Sequence, residues 1–160
     1  MDTQDPEKLE KRARNVLLFQ LGRSMKTRKQ LAAIMVKREI PAEVFEPILD
    51  RFQEAQLIDD AAYAKAFVAS RLACGGKSSA MLKRELKQKG VPDEQISEAL
   101  SELDSEREIE IAVSLAKKRL ATLRNLEPEV KRRRVLGYLQ RRGFSSSDCS
   151  RALALASASE

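Results

Sequence analysis

The chain has 160 residues, a formal net charge of +6, 34% charged and 42% hydrophobic residues, two cysteines, no tryptophan and no histidine. This mixture is too apolar for a disordered chain and too charged for a membrane protein, and at this length folding buries roughly 68–70% of the unfolded surface. Without histidine there is no Ser-His-Asp or Cys-His catalysis, no His-ligated zinc and no imidazole proton shuttle.

Met1-Asp2-Thr3-Gln4-Asp5 is acidic and polar, unlike a signal peptide, and residues 1–10 read as a flexible tail. The longest apolar run, Val16-Leu17-Leu18-Phe19, falls far short of the ~18 residues of a membrane span, which predicts a cytoplasmic protein without membrane contact. Thr27 and Gln30 have capping-box spacing, and Phe45, Ile48, Leu49 and Phe52 form a helical stripe. Asp59-Asp60 precedes a second stripe, Tyr63, Ala64, Phe67 and Val68, where carboxylates satisfy free N–H groups and meet the positive end of the helix dipole. Gly75-Gly76 ends that helix. Ile96, Ala99, Leu100 and Leu103 form the next stripe. Ser105 with Glu108 repeats the capping-box spacing ahead of Ile109, Ala112, Val113, Ala116 and Leu120. Pro41, Pro92 and Pro128 suit a first helical turn, and Gly90 and Gly143 suit a left-handed helix stop. Ala, Leu, Glu, Lys, Arg and Gln dominate and no sustained strand alternation occurs, so the predicted fold class is all-α. Cys74 and Cys149 are too few and too distant for a disulfide framework and read as small apolar residues.

An internal repeat runs through these elements. An offset of 51 residues sets Leu86-Lys87-Gln88-Lys89-Gly90-Val91-Pro92 over Met35-Val36-Lys37-Arg38-Glu39-Ile40-Pro41, and an offset of 53 sets Leu139-Gln140-Arg141-Arg142-Gly143-Phe144-Ser145 over Leu86 to Pro92. Each copy reads as a lead helix, a helix with a basic stop, a short turn and a closing helix. One such module is too small to bury its own apolar faces, so neighbours must stack. The predicted organisation is a tail over 1–10, three-helix repeats over 11–58, 59–104 and 105–156, the last with a longer lead helix, and a frayed end over 157–160. The repeats are helix-turn-helix-like and are expected in an elongated array, straight or curved.

Charge is unevenly spread. Five cations between Lys77 and Lys89 face one acid, Glu85; eight acids between Asp93 and Glu110 face one cation, Arg107; six cations between Lys131 and Arg142 face no acid. Lys83, Arg84, Lys87 and Lys89 are expected to form one basic ridge, and Lys131, Arg132, Arg133, Arg134, Arg141 and Arg142 its equivalent in the last copy. Such ridges suit a polyanion, either DNA phosphates or an acidic protein surface.

Two motifs fail. Gly76-Lys77-Ser78 lacks the first glycine of a phosphate-binding loop, because Arg71 stands there, and helix rather than strand precedes it. Ser114-Leu115-Ala116-Lys117 matches S-x-x-K without its companion motifs. The chain is therefore read as no enzyme, with no catalytic residue, no cofactor and no metal.

Leu57-Ile58-Asp59-Asp60 followed by Tyr63-Ala64, Phe67-Val68 and Arg71 resembles the central signature of the bacterial RecX family. Leu86-Lys87-Gln88-Lys89-Gly90-Val91 and Leu139-Gln140-Arg141-Arg142-Gly143-Phe144 resemble it too, and the likeness covers about Ala13 to Leu155 in the family's order. The resemblance implies three tandem three-helix repeats and a regulator of the RecA recombinase, acting in homologous recombination, DNA repair and the SOS response. Such proteins bind in the groove of the RecA–single-stranded-DNA filament and suppress its ATPase, strand exchange and stimulation of repressor self-cleavage. Some members bind DNA weakly. They need no cofactor, and the chain is expected to be a monomer. The signature residues Ile58, Asp59, Asp60, Tyr63, Phe67, Gly90, Gly143 and Phe144 read as structural, the aspartates as caps and Tyr63 and Phe67 as core. Glu39 departs from the pattern by standing where Gly90 and Gly143 stand, so its turn is expected to have a different backbone shape. The rival readings are a helix-turn-helix DNA-binding protein and a helical scaffold for another acidic partner.

Overall fold

The computed structural model describes residues 5–159; residues 1–4 and 160, and with them those ends of the predicted tail and frayed terminus, lie outside it. Among the described residues there are nine helices and no strand: α1 Pro6–Arg23, α2 Arg28–Lys37, α3 Ala42–Glu54, α4 Asp60–Ala73, α5 Ser79–Gln88, α6 Asp93–Ala99, α7 Ser105–Thr122, α8 Pro128–Arg141 and α9 Ser146–Ala158. Helix α1 starts inside the segment read as a tail, because Asp5 accepts from the Glu7 N–H and Pro6 presets the first turn. Helix α9 likewise runs to Ala158, into the segment read as frayed.

The helices fall into two compact units, Met1–Ala64 with Leu86–Ile96 and Lys65–Glu85 with Ser97–Glu160, so α4, α5 and α6 each contribute to both. In the first unit α1, α2 and α3 pack on one another. Their core is Ala13 and Leu17 of α1, Leu31 and Met35 of α2, and Phe45, Ile48, Leu49 and Phe52 of α3, closed by Ile40 and Ile58. Each large side chain removed from water there contributes about 1.5–3 kcal/mol. In the second unit α7, α8 and α9 pack together, burying Ile109, Ala112, Ala116 and Leu120, Val135 and Leu139, and Cys149, Ala152, Leu153 and Ala156. Ile111 and Leu115 are buried as well, which gives α7 a second apolar face beside the predicted stripe. Cys149 is buried, with its thiol on the Phe144 carbonyl at 3.6 Å, whereas Cys74 is exposed.

Several predicted boundaries shift for local reasons. Helix α6 stops at Ala99 and does not reach Leu103: the Ser101 hydroxyl donates to the Glu98 carbonyl at 2.8 Å, taking an acceptor the helix would otherwise use. Leu103 is still buried. Pro128 takes the first position of α8, but Pro41 and Pro92 each stand one residue before their helices.

The turn at Glu39 is not a different shape. Ile40 N–H donates to the Met35 carbonyl at 3.0 Å, Val91 to Leu86 at 3.1 Å and Phe144 to Leu139 at 3.2 Å, so all three middle helices end in the same six-residue closure. Glu39 holds φ +61°, against +91° at Gly90 and +93° at Gly143. A glutamate in this left-handed region costs about 1–2 kcal/mol relative to glycine.

Candidate functional site

Each predicted signature residue has a definite place. Asp59 caps its own helix, accepting from the Ala62 N–H at 3.0 Å. Asp60 does something else. Its carboxylate accepts from the backbone N–H of Arg28 at 3.0 Å, the first residue of α2, and so caps a helix 32 residues upstream. Thr27 closes a full capping box with Gln30 at the same point, and its hydroxyl donates to the Lys89 carbonyl at 2.5 Å. Gly90 lies against Lys29, whose Cβ stands where a Cβ on Gly90 would have to go. Asp60 is buried, which pushes its carboxyl pKa up; the N–H and the charge of Arg28 partly oppose that rise. The Arg28 guanidinium reaches Glu46 and Asp50 at 2.7 Å each; these pairs outweigh the effect of burial and raise its pKa.

The same junction occurs in the second unit. Ser78, buried like Thr27, accepts from the Met81 N–H at 3.1 Å, and its own N–H donates to the Arg142 carbonyl at 3.0 Å. The Ser79 N–H donates to Glu108 at 2.9 Å, as Arg28 does to Asp60. Gly143 lies against Ser78 and Met81, as Gly90 does against Lys29. The start of a middle helix is thus completed by the lead helix and the glycine turn of the copy that follows. Glu108 is therefore not half of a capping box with Ser105: Asp104 caps α7 through the Arg107 N–H at 2.8 Å.

Ile58 and Phe144 are buried, but Tyr63 and Phe67, read from the sequence as core, are only half-buried, and Phe67 carries the Arg71 guanidinium 4.5 Å from its ring centre. Gly76-Lys77-Ser78 is a helix start and no phosphate loop. Lys77 pairs with Glu85 at 2.6 Å, and a Cβ on Gly76 would meet Ile111 at 2.7 Å.

The predicted cations do not form two uniform ridges. Lys83 and Arg84 are exposed on α5, and Lys87 is exposed and pairs with Asp93 at 3.5 Å. Lys89 lies past the helix end, half-buried, with its carbonyl in the first junction. On α8, Arg132, Arg133 and Arg134 are exposed, but successive helical residues point about 100° apart, so three in a row fan around the helix. Arg134 and Arg141 share a face at i, i+7, and the Arg141 guanidinium lies over Gly137. Lys131 and Arg132 border a cavity of about 420 Å³ with Leu120 and Leu153. Among the described residues Arg132, Arg133, Arg134 and Arg141 have no ion-pair partner. Arg142 is different: half-buried, it donates to the Gly76 carbonyl at 2.8 Å and stacks on Tyr138 at 5.1 Å. It holds the second junction and is not free to bind.

Residues 59–100 match the family model of the second three-helix domain of RecX, and residues 106–153 that of the third. The chain is 43% identical over 141 residues to the regulatory protein RecX of Thermobifida fusca, covering 88% of this chain and 76% of that one. The chain belongs to the RecX family. It is also 40% identical to the regulatory protein RecX of Mycolicibacterium smegmatis, over 90% of this chain and 79% of that one. A crystal structure of a regulatory protein RecX superposes with a TM-score of 0.75 at 30% identity, over 89% of this chain and 70% of that one. RecX from Lactobacillus salivarius superposes with a TM-score of 0.81 at 21% identity, over 94% and 98%, and so shares the all-α repeat fold. The relatives are named as regulatory proteins rather than enzymes.

In this RecX-family chain the signature residue Asp60, like Glu108, thus locks one copy onto the one before it, whereas Asp59 caps its own helix. Sequence spacing finds the local caps Thr27 and Asp59. It does not find Glu108 on Ser79 or Asp60 on Arg28, because a carboxylate near its own helix start satisfies the local pattern equally well. Among the described residues no helix is long and apolar enough to cross a membrane, and no three His, Cys, Asp or Glu side chains stand together to hold a metal.

Proposed function

We infer that the chain is a negative regulator of RecA, binding the groove of the RecA–single-stranded-DNA filament and inhibiting its ATPase, strand exchange and co-protease activity. Membership of the RecX family supports the regulatory role. The observation that carries the surface is the unpaired, exposed set Arg132, Arg133, Arg134 and Arg141 on α8. Charge without a compensating acid gains most from meeting an acidic protein surface or phosphates, and least from staying in water. Lys83 and Arg84 on α5 add a second contact. Repeats in series, read over 11–58, 59–104 and 105–156, touch more than one filament subunit and hinder the opening and closing that ATP turnover requires.

The test is RecA ATPase on single-stranded DNA with substoichiometric amounts of the chain. Inhibition well below one chain per RecA supports the reading, and no effect at any ratio refutes it. The helix-turn-helix alternative is less well supported: Arg142 and Lys89 are engaged in junctions, and the remaining cations are divided between α5 and a fan around α8 and do not line one base-reading face. Tight, sequence-specific duplex binding without RecA would revive it.

A further inference from the structure

The turn after α3 has the same closure as the turns at Glu39, Gly90 and Gly143. Gln56 holds φ +60°, and the Leu57 N–H donates to the Phe52 carbonyl at 2.9 Å. An apolar side chain at the place of Leu57 ordinarily packs back onto its own helix. Ile40, Val91 and Phe144 hold that place in the other three turns and are 2%, 4% and 4% exposed. Leu57 is 52% exposed, and the inward place goes to Ile58. Exposed carboxylates flank it, Glu54 before and Asp59 after, and neither has an ion-pair partner among the described residues.

A complementary surface lies in the same unit. Val16 and Phe19 of α1, with Lys11, Arg12 and Arg38, line an open groove of about 550 Å³. Among the described residues no carboxylate lines this groove, and Lys11, Arg12 and Arg38 have no ion-pair partner. Phe19 is 60% exposed, although Ala13 and Leu17 already bury the core face of α1.

We propose that the groove receives the Leu57 turn of a second copy of the chain. Leu57 packs against Val16 and Phe19, and Glu54 and Asp59 face Lys11, Arg12 and Arg38. Both apolar side chains stand in water in the single chain and leave it together in the pair. The charges match in sign, carboxylates around the turn and cations around the groove. A purely apolar segment would leave the cations unanswered, and an acidic segment without a large apolar side chain would leave Phe19 in water. The chain itself carries a segment that answers both. Turn and groove are different surfaces, so one contact leaves one of each free. Two copies close on a two-fold axis by exchanging both, or further copies add head to tail. One turn in one groove makes a small, transient contact, below about 1,200 Å², so the monomer expected from the family resemblance is the dilute state. Helix α8, on which the filament reading rests, takes no part.

Sedimentation velocity of the full chain tests this. At low salt the average sedimentation coefficient should rise with concentration, and the rise should shrink as salt screens the charges. Leu57→Ser, and separately Arg12→Ala with Phe19→Ala, should each weaken self-association at least about tenfold, as truncation of a central anchor does. An unchanged Tm shows that each variant is folded. Mixed one to one, the two variants should associate more strongly than either does alone and form nothing larger than a pair, because one intact turn and one intact groove remain between them. Arg133→Glu with Arg134→Glu should leave self-association unchanged while weakening RecA inhibition, which keeps the two readings apart. The proposal is overturned if the unaltered chain stays monomeric at every concentration up to its solubility limit. It is overturned equally if the variants associate as the unaltered chain does, or if their mixture sediments as the sum of the two alone.

Discussion

The carboxylate of Asp60 and the backbone N–H of Arg28 meet at 3.0 Å, so the first residue of one helix caps the first turn of another that lies 32 residues upstream. Asp60→Ala removes this acceptor and should lower stability by about 1–2 kcal/mol, as loss of a cap does. At 160 residues that is about 2–4 °C of Tm per kcal/mol.

The same carboxyl makes a pH prediction. Burial raises its pKa in the folded chain, so its contribution to stability is fully present below the ordinary carboxylate range and is lost as pH rises through the raised value. Asp60→Asn keeps an acceptor for Arg28 without the ionisation. Denaturant unfolding from pH 4 to 8 should show the Asn variant gaining on the unaltered chain as pH rises; the opposite trend would refute the assignment.

Asp104 and Ser105 compete for the start of α7, and the hydrogen bond goes to Asp104. Asp104→Ala should cost about 1 kcal/mol, whereas Ser105→Ala should stay within about 0.5 kcal/mol. Glu108→Ala should also destabilise by about 1 kcal/mol, through Ser79 and not through its own helix. Thermal unfolding of the three variants distinguishes this arrangement from a capping box.

The helix-ending turns at Gly143 and Glu39 respond oppositely to substitution. Gly143→Ala meets both the left-handed φ and the Cβ of Met81 at 2.7 Å, and should cost at least about 2 kcal/mol. Glu39→Gly relieves the same φ at an exposed site and should stabilise by about 1 kcal/mol. A destabilised Glu39→Gly variant would contradict the strain assigned to that turn.

The arginines of α8 and its closing turn divide by role. Arg142→Ala should lower Tm, since it removes the bond to Gly76 and the Tyr138 stack. Arg133→Ala with Arg134→Ala should leave Tm unchanged and weaken inhibition of RecA ATPase, with the remainder less sensitive to salt. Equal effects of both on both readouts would refute the division.

The helices themselves are legible because their signals are local: the stripe Phe45, Ile48, Leu49, Phe52 is buried throughout, and Thr27 with Gln30 closes its box. What sequence spacing does not reveal is where a group reaches across the chain. Arg142 reads like its basic neighbours, and contacts with Gly76 and Ser78, more than sixty residues earlier, set it apart. The second face of α7 escapes the pattern because Ile111 and Leu115 fall off the stripe that Ile109, Ala112 and Ala116 define. Phe19 reads as part of an apolar run, although a helix sends four consecutive residues in four directions and buries only Leu17 of the four.

The junction has a grammar with a subject and an object. A middle helix that receives a successor opens on a small hydroxyl, Thr27 or Ser78, and a turn that docks on a predecessor is glycine, Gly90 or Gly143. Glu39 carries a side chain where the docking turn needs none. Lys131, at the position of Ser78 under the same offset, is already inside α8, which begins at Pro128 without a side-chain cap. Grafting a further copy onto either side would therefore fail to click into place unless Glu39 became glycine or α8 were shortened to open on serine or threonine. Engineering a longer array therefore means editing one turn, at Glu39, and one helix start, that of α8, first.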